Sequence, residues 1–523
     1  MELRKTRLLF FLLLLAGVAH FAQGQALEAA RNDQIDRQKT YLLDSIVASG
    51  LVRDSLVLDG PNIHPATPDA AGFALIGLSA LDHLDKLPEA EQLVENVLSA
   101  YAGQTPGVNP ARSPNGFYTH YMTGTGAPAG GGWDPSYTTI GTALLVAGAQ
   151  FAKNHFTDDP EIAQLADQLT SSVDFNAAID PSLSGRIYRD MTITGEGTPG
   201  EGNLPWNEYM LVASLALKQA NNDRALAVRD HWIDPESALK RSYFGIETIT
   251  DNPAKFAPAF WVQQQHFFNG DFRHNPEFET LFRNQQLADQ AYSVSSALNE
   301  EFRYGLTAGP SPQGYGVDSI GNHVNDVFSP EAVAAWGDMD TFLEFYNNQF
   351  PTSDPRYRYG LLRESAVDPD WVPFDAGLVD HLFLLFGLVE SIDADFFPDR
   401  VIPRFAPAGL PGDFNGDGAV DAADYSVWRD NVGQQEDGVT LSGNGNGGLV
   451  DATDLGLWRN QFGVSDTAPA GANATIPEPT TASTMVFGAL LHATLRRRPR
   501  SLVSAERTFF RDSCTSQREM IAN

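Results

Sequence analysis

Gly202-Asn203-Leu204-Pro205-Trp206-Asn207-Glu208-Tyr209-Met210 runs straight into Leu211-Val212-Ala213-Ser214-Leu215-Ala216. Leu211, Val212, Leu215 and Ala216 are apolar at helical spacing, so the segment reads as a helix that must be largely buried. Glu208 then falls in its first turn, one carboxylate among aromatic rings at the mouth of a buried element.

The same period continues on both sides of this stretch. Amphipathic segments lie near 27–49, 68–83, 88–102, 137–155, 160–173, 206–220, 278–298, 329–348 and 376–391, joined by loops rich in Gly, Pro, Asn and aromatic residues. Very few runs alternate with period two, so residues 25–405 are expected to be a mainly α domain. About a dozen helices with long polar-aromatic loops suit two concentric helical layers, the inner helices opening their loops onto one face. A solenoid is the competing architecture, and the fixed-period repeat it requires is missing.

The chain has 523 residues, 42% of them hydrophobic, and a formal charge of −31. That length buries a large core, and that charge excludes a nucleic-acid partner, whose phosphates need a positive face. Residues 1–24 combine Arg4, Lys5 and Arg7 with an apolar run from Leu8 to Ala19 and small residues at Ala22 and Gly24, the pattern of a secretory signal. The run is short for a bilayer span, so a secreted or cell-surface protein with no stable membrane span in its mature form is expected. The single cysteine, Cys514, leaves no disulfide within one chain.

After the hinge-like Ala406-Pro407-Ala408-Gly409-Leu410-Pro411-Gly412, residues 406–466 change character. Two units, Asp413–Gly433 and Gly443–Gly463, each carry an Asp/Asn/Gly loop, a Val-Asp-Ala-x-Asp step and a helix with a Trp-Arg pair. In the first, Asp413, Asn415, Asp417, Asp421 and Asp424 take positions 1, 3, 5, 9 and 12, with Gly418 at 6 and the Ala419 carbonyl at 7. That is the spacing that wraps calcium in oxygen ligands. Counting back from Asp454 in the second puts Gly443, Gly445 and Gly447 at positions 1, 3 and 5, with Asn444 and Asn446 out of phase by one residue, so either an insertion lets those amides join Asp451 and Asp454 or the loop is degenerate. Such a pair resembles the type I dockerin, which implies structural calcium and a cohesin-like or surface partner. In 467–523 a linker precedes Pro477-Glu478-Pro479, a weakly apolar stretch and Arg496-Arg497-Arg498-Pro499-Arg500. These features resemble a PEP-CTERM sorting tail.

In the helical domain, loops gather polar and aromatic residues: His120 in Asn115–Tyr121, Trp133 and Asp134 after three glycines, Trp206 beside Glu208, and His266, Asp271 and Arg273 in Gln265–Arg273. Tyr304 and Tyr315 bracket another such loop, and Asp375 opens the helix 376–391. Aromatic surface beside carboxylates suits a carbohydrate, whose C–H faces stack on rings while its hydroxyls need polar partners. Glycosidic hydrolysis needs an acid on the leaving oxygen and a base or nucleophile opposite. Glu208 and Asp375 are the candidates, and their separation decides between inversion (about 6.5–9.5 Å) and retention (about 5–5.5 Å). The bland alternatives are a helix-dipole role for Glu208 and an N-cap for Asp375.

Five segments, Gly116–Tyr121, Thr138–Phe156, Trp206–Leu217, Tyr304–Tyr315 and Asp375–Gly377, resemble the bacterial glucoamylase-like family that includes the endo-β-1,2-glucanases. Ala71-Gly72-Phe73-Ala74-Leu75 resembles its opening helix and Asp271-Phe272-Arg273 its mid-domain step. The resemblance implies an (α/α)6 barrel over about 60–392 and a polysaccharide substrate, cleaved with Glu208 as general acid and Asp375 on the base side and no catalytic cofactor. Thr139-Ile140-Gly141-Thr142-Ala143 departs from the family's Thr-Val-Asp-Thr-Ala. Tyr304 and Ala376 stand where the family has Trp and Gln. With Gly141 a carboxylate is lost, which Asp134 could replace from the preceding loop. A different substrate, reduced activity or a glycan-binding scaffold without chemistry would follow from that loss. A lyase acting on acidic glycans is disfavoured by an acidic cleft with Arg273 as its one cation in view.

Overall fold

A computed structural model of the chain describes residues 2–181, 185–198, 202–219, 222–250, 258–295, 304–318, 327–349, 353–403, 411–434, 440–445 and 449–464. Most of the hinge at 406–412 and the whole sorting-like tail lie outside them. No helix among the described residues is long and apolar enough to cross a membrane.

In chain order the helices are α1 (Glu2–Ser45), α2 (Pro68–His83), α3 (Ala90–Tyr101), α4 (Thr139–His155), α5 (Pro160–Ser171) and α6 (Met210–Leu217). They continue with α7 (Asp223–Ile233), α8 (Ala259–Phe268), the single turn α9 (Gly270–Arg273), α10 (Pro276–Ser295), α11 (Pro330–Ala335), α12 (Met339–Gln349) and α13 (Leu378–Glu390), and α14 (Ala422–Asn431) and α15 (Ala452–Gln461) follow. Several begin as their sequences dictate: Thr67-Pro68, Asp159-Pro160 and Ser329-Pro330 each pair a side-chain cap with proline in the first turn.

Contacts close a ring α2–α4–α6–α8–α11–α13–α2, with α1, α3, α5, α7, α10 and α12 packed outside it. The inner helices share one direction. At one end His155 meets Asp82, His83 meets Asp393, Lys218 meets Asp271 and His266 meets Glu390, all at or just past helix C-termini. At the other end stand the helix N-termini and most of the loops. Short two-stranded pairs stitch these loops together, among them Ser55–Val57 with Asp375–Gly377 and the hairpin Ala308–Ser311/Gly314–Val317. Phe73 packs on Phe268, Phe383 and Phe386, and Phe267 on Phe386 and Phe397, so aromatic rings fill the inside of the ring.

Two expected helices are shorter than their periodicity suggests. The segment 206–220 is helical only from Met210 to Leu217, and Glu208 lies in the turn before it. The segment 329–348 breaks into α11 and α12 at Gly337, whose φ of 79° ends the first helix.

Helices α2 and α4 make a close inner contact. A Cβ on Gly72 would sit 2.2 Å from the Leu144 carbonyl oxygen, and one on Gly148 2.3 Å from the Gly72 oxygen. Gly72→Ala therefore forces two backbones apart, and urea denaturation of the full chain should show a loss of at least about 1–3 kcal/mol.

Candidate active site

The loop ends are fixed first by backbone bonds. In the pair of Ser55–Val57 with Asp375–Gly377, Val57 lies opposite Asp375. The Ala376 carbonyl accepts from Tyr41 and Ser55, each at 2.8 Å, and the Leu378 N–H donates to the Asp54 carbonyl at 2.9 Å. Arg358 donates to the carbonyls of Val57 and Leu58. Asp54 and Asp375 are thereby held at the N-terminus of α13. Gly377, not Asp375, is the N-cap of that helix.

His64 stands between the two carboxylates, its Nε2 2.9 Å from Asp375 Oδ2 and its Nδ1 3.7 Å from Asp54 Oδ1. Burial and then the neighbouring Asp69 push Asp54 up to about 7, against the pull of His64. Burial opposes a charge on His64, but Asp375 and Asp54 outweigh it and raise the ring above its ordinary value. The arrangement sets an imidazole within ion-pair reach of two carboxylates.

Glu208 reaches the same face by another route. Asn207 turns the chain with its side chain, accepting from the Tyr209 N–H and donating to the Leu204 carbonyl, and Gln264 and Gln265 of α8 both donate to the Glu208 carbonyl. Tyr315 stands on its hairpin, its hydroxyl raised by desolvation and then by Asp380, Glu208 and Asp54, against Arg363. Tyr121 is raised by burial and then by Asp54, Asp69, Tyr315 and Asp134. The two tyrosines thus tie Glu208, Asp54 and Asp69 into one electrostatic neighbourhood, and His64 brings Asp375 into it.

The rim is aromatic. Trp133 lies 4.8 Å from Tyr121 and 5.8 Å from His64 between ring centres, and His120 stacks on Tyr121 at 4.1 Å. Trp133 and His64 share with Met122, Ile63 and Arg53 a cavity of about 310 Å³. Asp134 is at this rim, 3.8 Å from His120, where hydrogen bonds from the Ser136 N–H and hydroxyl hold its carboxyl below the usual range despite partial burial.

Other sequence candidates lie elsewhere. Trp206 is 1% exposed and packs on Phe278 of α10, so it belongs to the wall and offers no stacking face. Tyr304 is buried, donating to Asp338 and accepting from Gln286 between the layers. His266, Asp271 and Arg273 occupy the opposite end of the ring, about 19 Å away along α13, whose 13 residues separate Asp375 from Glu390. There Asp271 pairs with Lys218 at 2.7 Å, and Arg273 and His266 clasp Glu390. Burial would raise Glu390, yet His266 and Arg273 hold it at about 2. Phe-Phe-Asn-Gly-Asp-Phe-Arg follows an inner helix, and such loops face away from the cleft.

Below Tyr315 lies a buried layer that no motif announces. Arg363 pairs with Asp318 at 2.7 Å, both almost fully enclosed, and its guanidinium lies against Gly309 of the hairpin. Asp380 is pushed up to about 6 by burial, against Arg363, and Glu331 up to about 8 by burial and then Asp380. Ser329 donates to Glu331 at 2.8 Å.

In the C-terminal repeat, Asp413 accepts from the Asp417 and Gly418 N–H groups, and Asp424 accepts from those of Asn415 and Asp421. Asp413 and Asp424 are both fully buried. In the second unit Asp454 accepts from the Asp451 N–H, and the Asn444 amide donates to the Asp413 carbonyl. The units are reciprocal: Trp428 donates to the Asp451 carbonyl and Trp458 to that of Asp421. Among the described residues no three His, Cys, Asp or Glu side chains converge closely enough to hold a metal as they stand.

No known family model matches the sequence, and no curated protein does. Solved structures share the fold. An endo-β-1,2-glucanase from Chitinophaga pinensis, in complex with sophorotriose and glucose, superposes with TM-score 0.61 at 16% identity over 71% of this chain and 94% of its own. A candidate glucoamylase from Bacteroides caccae gives 0.60 at 19% over 72% and 95%. A β-1,2-glucanase from Parabacteroides distasonis gives 0.59 at 15% over 72% and 58%.

Because Glu331 binds its proton more tightly folded than unfolded, the stability it contributes at low pH is lost as pH rises from the ordinary glutamate range through about 8. Glu331→Gln, which mimics the protonated form, should melt with the wild type at pH 5 and several degrees above it at pH 9. Thermal unfolding across that range checks the sign.

Proposed function

We propose that the protein is a glycoside hydrolase of the glucoamylase-like, (α/α)6-barrel kind, acting on a β-linked glucan, with β-1,2-linked chains the first to test. What supports this reading is that Asp54 and His64 of the connection between α1 and α2 stand beside Asp375 before α13, with Glu208 before α6 in the same electrostatic neighbourhood. Glu208 is assigned as the general acid that protonates the leaving glycosidic oxygen. Asp375, oriented by His64, is assigned to the opposite side, where it draws a proton from water attacking the anomeric carbon. His120, Trp133, Asp134 and Tyr315 are the sugar-contacting candidates on the rim, with Tyr121 added to them. The structural neighbours named for β-1,2-glucan cleavage support the substrate class through shared fold.

We further propose that the first loop of 406–466 binds calcium through Asp413, Asn415, Asp417, the Ala419 carbonyl, Asp421 and Asp424. The buried Asp413 and Asp424 carboxylates, unpaired with any cation among the described residues, fit that use. Asp451 and Asp454 mark a weaker second site. Structural cation binding, export by residues 1–24 and a cohesin-like or surface partner complete this reading.

Two measurements test it. Glu208→Gln should lower reducing-sugar release from β-1,2-glucan about 10²–10⁴-fold with folding intact, as should Asp375→Asn. Equal release by wild type and Glu208→Gln overturns the assignment. Calcium should raise the melting temperature of the full chain and chelation should lower it, while Asp424→Asn should abolish the response; a calcium-independent melt removes the cation.

A further inference from the structure

Arg363 is a buried guanidinium that the acid–base pair leaves unused. Its Nη2 lies 2.7 Å from Asp318 Oδ2, and neither side chain is more than 3% exposed. Its Nε and Nη1 are enclosed without a hydrogen-bond partner. Donors sealed in that way are costly, so a guanidinium held there calls for a reason.

The backbone around it supplies one. Arg363 runs into Glu364–Ser365, which pairs with Val327–Phe328 just ahead of the Ser329 cap of α11. From that anchored strand its side chain crosses to the hairpin Ala308–Ser311/Gly314–Val317, where a Cβ on Gly309 would stand 2.2 Å from Nη1. Its partner Asp318 closes the base of the same hairpin, the Asp318 N–H donating to the Thr307 carbonyl at 3.0 Å. That base stands on the loop face of the ring. The Ala259 N–H at the start of α8 donates to the Leu306 carbonyl at 2.6 Å, and the Ser329 N–H to that of Gly305 at 3.0 Å.

The register separates the two faces of the hairpin. Gly309 lies opposite Gly316 and Pro310 opposite Tyr315, so the glycine pair faces the guanidinium and the Pro310–Tyr315 pair faces away from it. Burial alternates to match: Gly309 and Ser311 are buried, Ala308 and Pro310 half-buried. The strand can therefore lie directly on the arginine. Tyr315 stands on the other face, in the electrostatic neighbourhood of Glu208 and Asp54.

We propose that Arg363 is a positioning residue, clamping the underside of the Ala308–Val317 hairpin so that Tyr315 is held at a fixed height on the loop face, where its ring stacks on a sugar. This rests on the carbohydrate reading of the cleft. A ring fixed before the ligand arrives has little freedom left to lose on binding, which is where the clamp gains affinity.

The test uses the full chain, with calorimetry on short β-1,2-linked gluco-oligosaccharides and turnover of the linear glucan. Gly309→Ala sets a methyl group against Nη1 and lifts the hairpin. It should raise Kd and KM about tenfold while kcat changes less than about threefold and the melting temperature holds. Gly309→Ala/Arg363→Lys removes the nitrogen that the methyl meets but leaves a cation for Asp318. It should bring Kd back to within about threefold of the wild type, a rescue that a merely structural arginine would not give. Tyr315→Ala should weaken binding as much as Gly309→Ala does, and the two together no more than either alone. A Gly309→Ala protein that binds as the wild type does, or one that loses melting temperature and kcat together, overturns the proposal. So do losses at 309 and 315 that add, and a Gly309→Ala/Arg363→Lys protein that stays weak. A wild type that binds the oligosaccharides without cleaving them, with the same pattern in Kd, supports the proposal while the hydrolase reading falls. A wild type that neither binds nor cleaves them ends both.

Discussion

The common direction of the six inner helices governs everything else in this molecule. Each helix carries partial positive charge at its N-terminus and presents unsatisfied N–H groups there. With α2, α4, α6, α8, α11 and α13 all starting at one end, that end can tolerate an acidic population that an ordinary core could not. Asp54, Asp69, Glu208, Glu331, Asp375 and Asp380 stand on the elements at that end. Asp54, Glu331 and Asp380 are pushed toward the neutral form, which is the usual cost of bringing acids together out of water.

The other end obeys the opposite rule. Helix C-termini favour cations, and His155, Lys218, His266 and Arg273 are found there, each beside a carboxylate. A chain that reverses direction at every helix sends the loop before an inner helix to one face and the loop after it to the other. Polar-aromatic composition is blind to that alternation. Asp375 and Asp134 precede inner helices and reach the cleft side, whereas Asp271 and Arg273 follow α8 and form a structural clasp.

Much of the fold was legible because it is written locally. Helices α2 to α5 and α13 carry caps, prolines or clear apolar stripes, and their expected bounds fall within a few residues of those seen. Helix α8 carries no apolar stripe in its sequence, because Gln263, Gln264 and Gln265 are buried and donate to the carbonyls of Ala332 and Glu208, bridging neighbouring helices. Of the candidate site, Glu208 and Asp375 stood in recognisable surroundings. Asp54 and His64 did not, since each is an isolated polar residue whose meaning comes from strand pairing far along the chain. In the C-terminal repeat the duplication was plain, but the exchange of Trp428 and Trp458 between units depends on packing.

The phenylalanines inside the ring have one more implication. Phe73, Phe267, Phe268, Phe383, Phe386 and Phe397 are buried against one another and, among the described residues, fill the inside of the ring. A long polymer therefore cannot be threaded through this protein. Any ligand of the loop face must enter and leave by that same face.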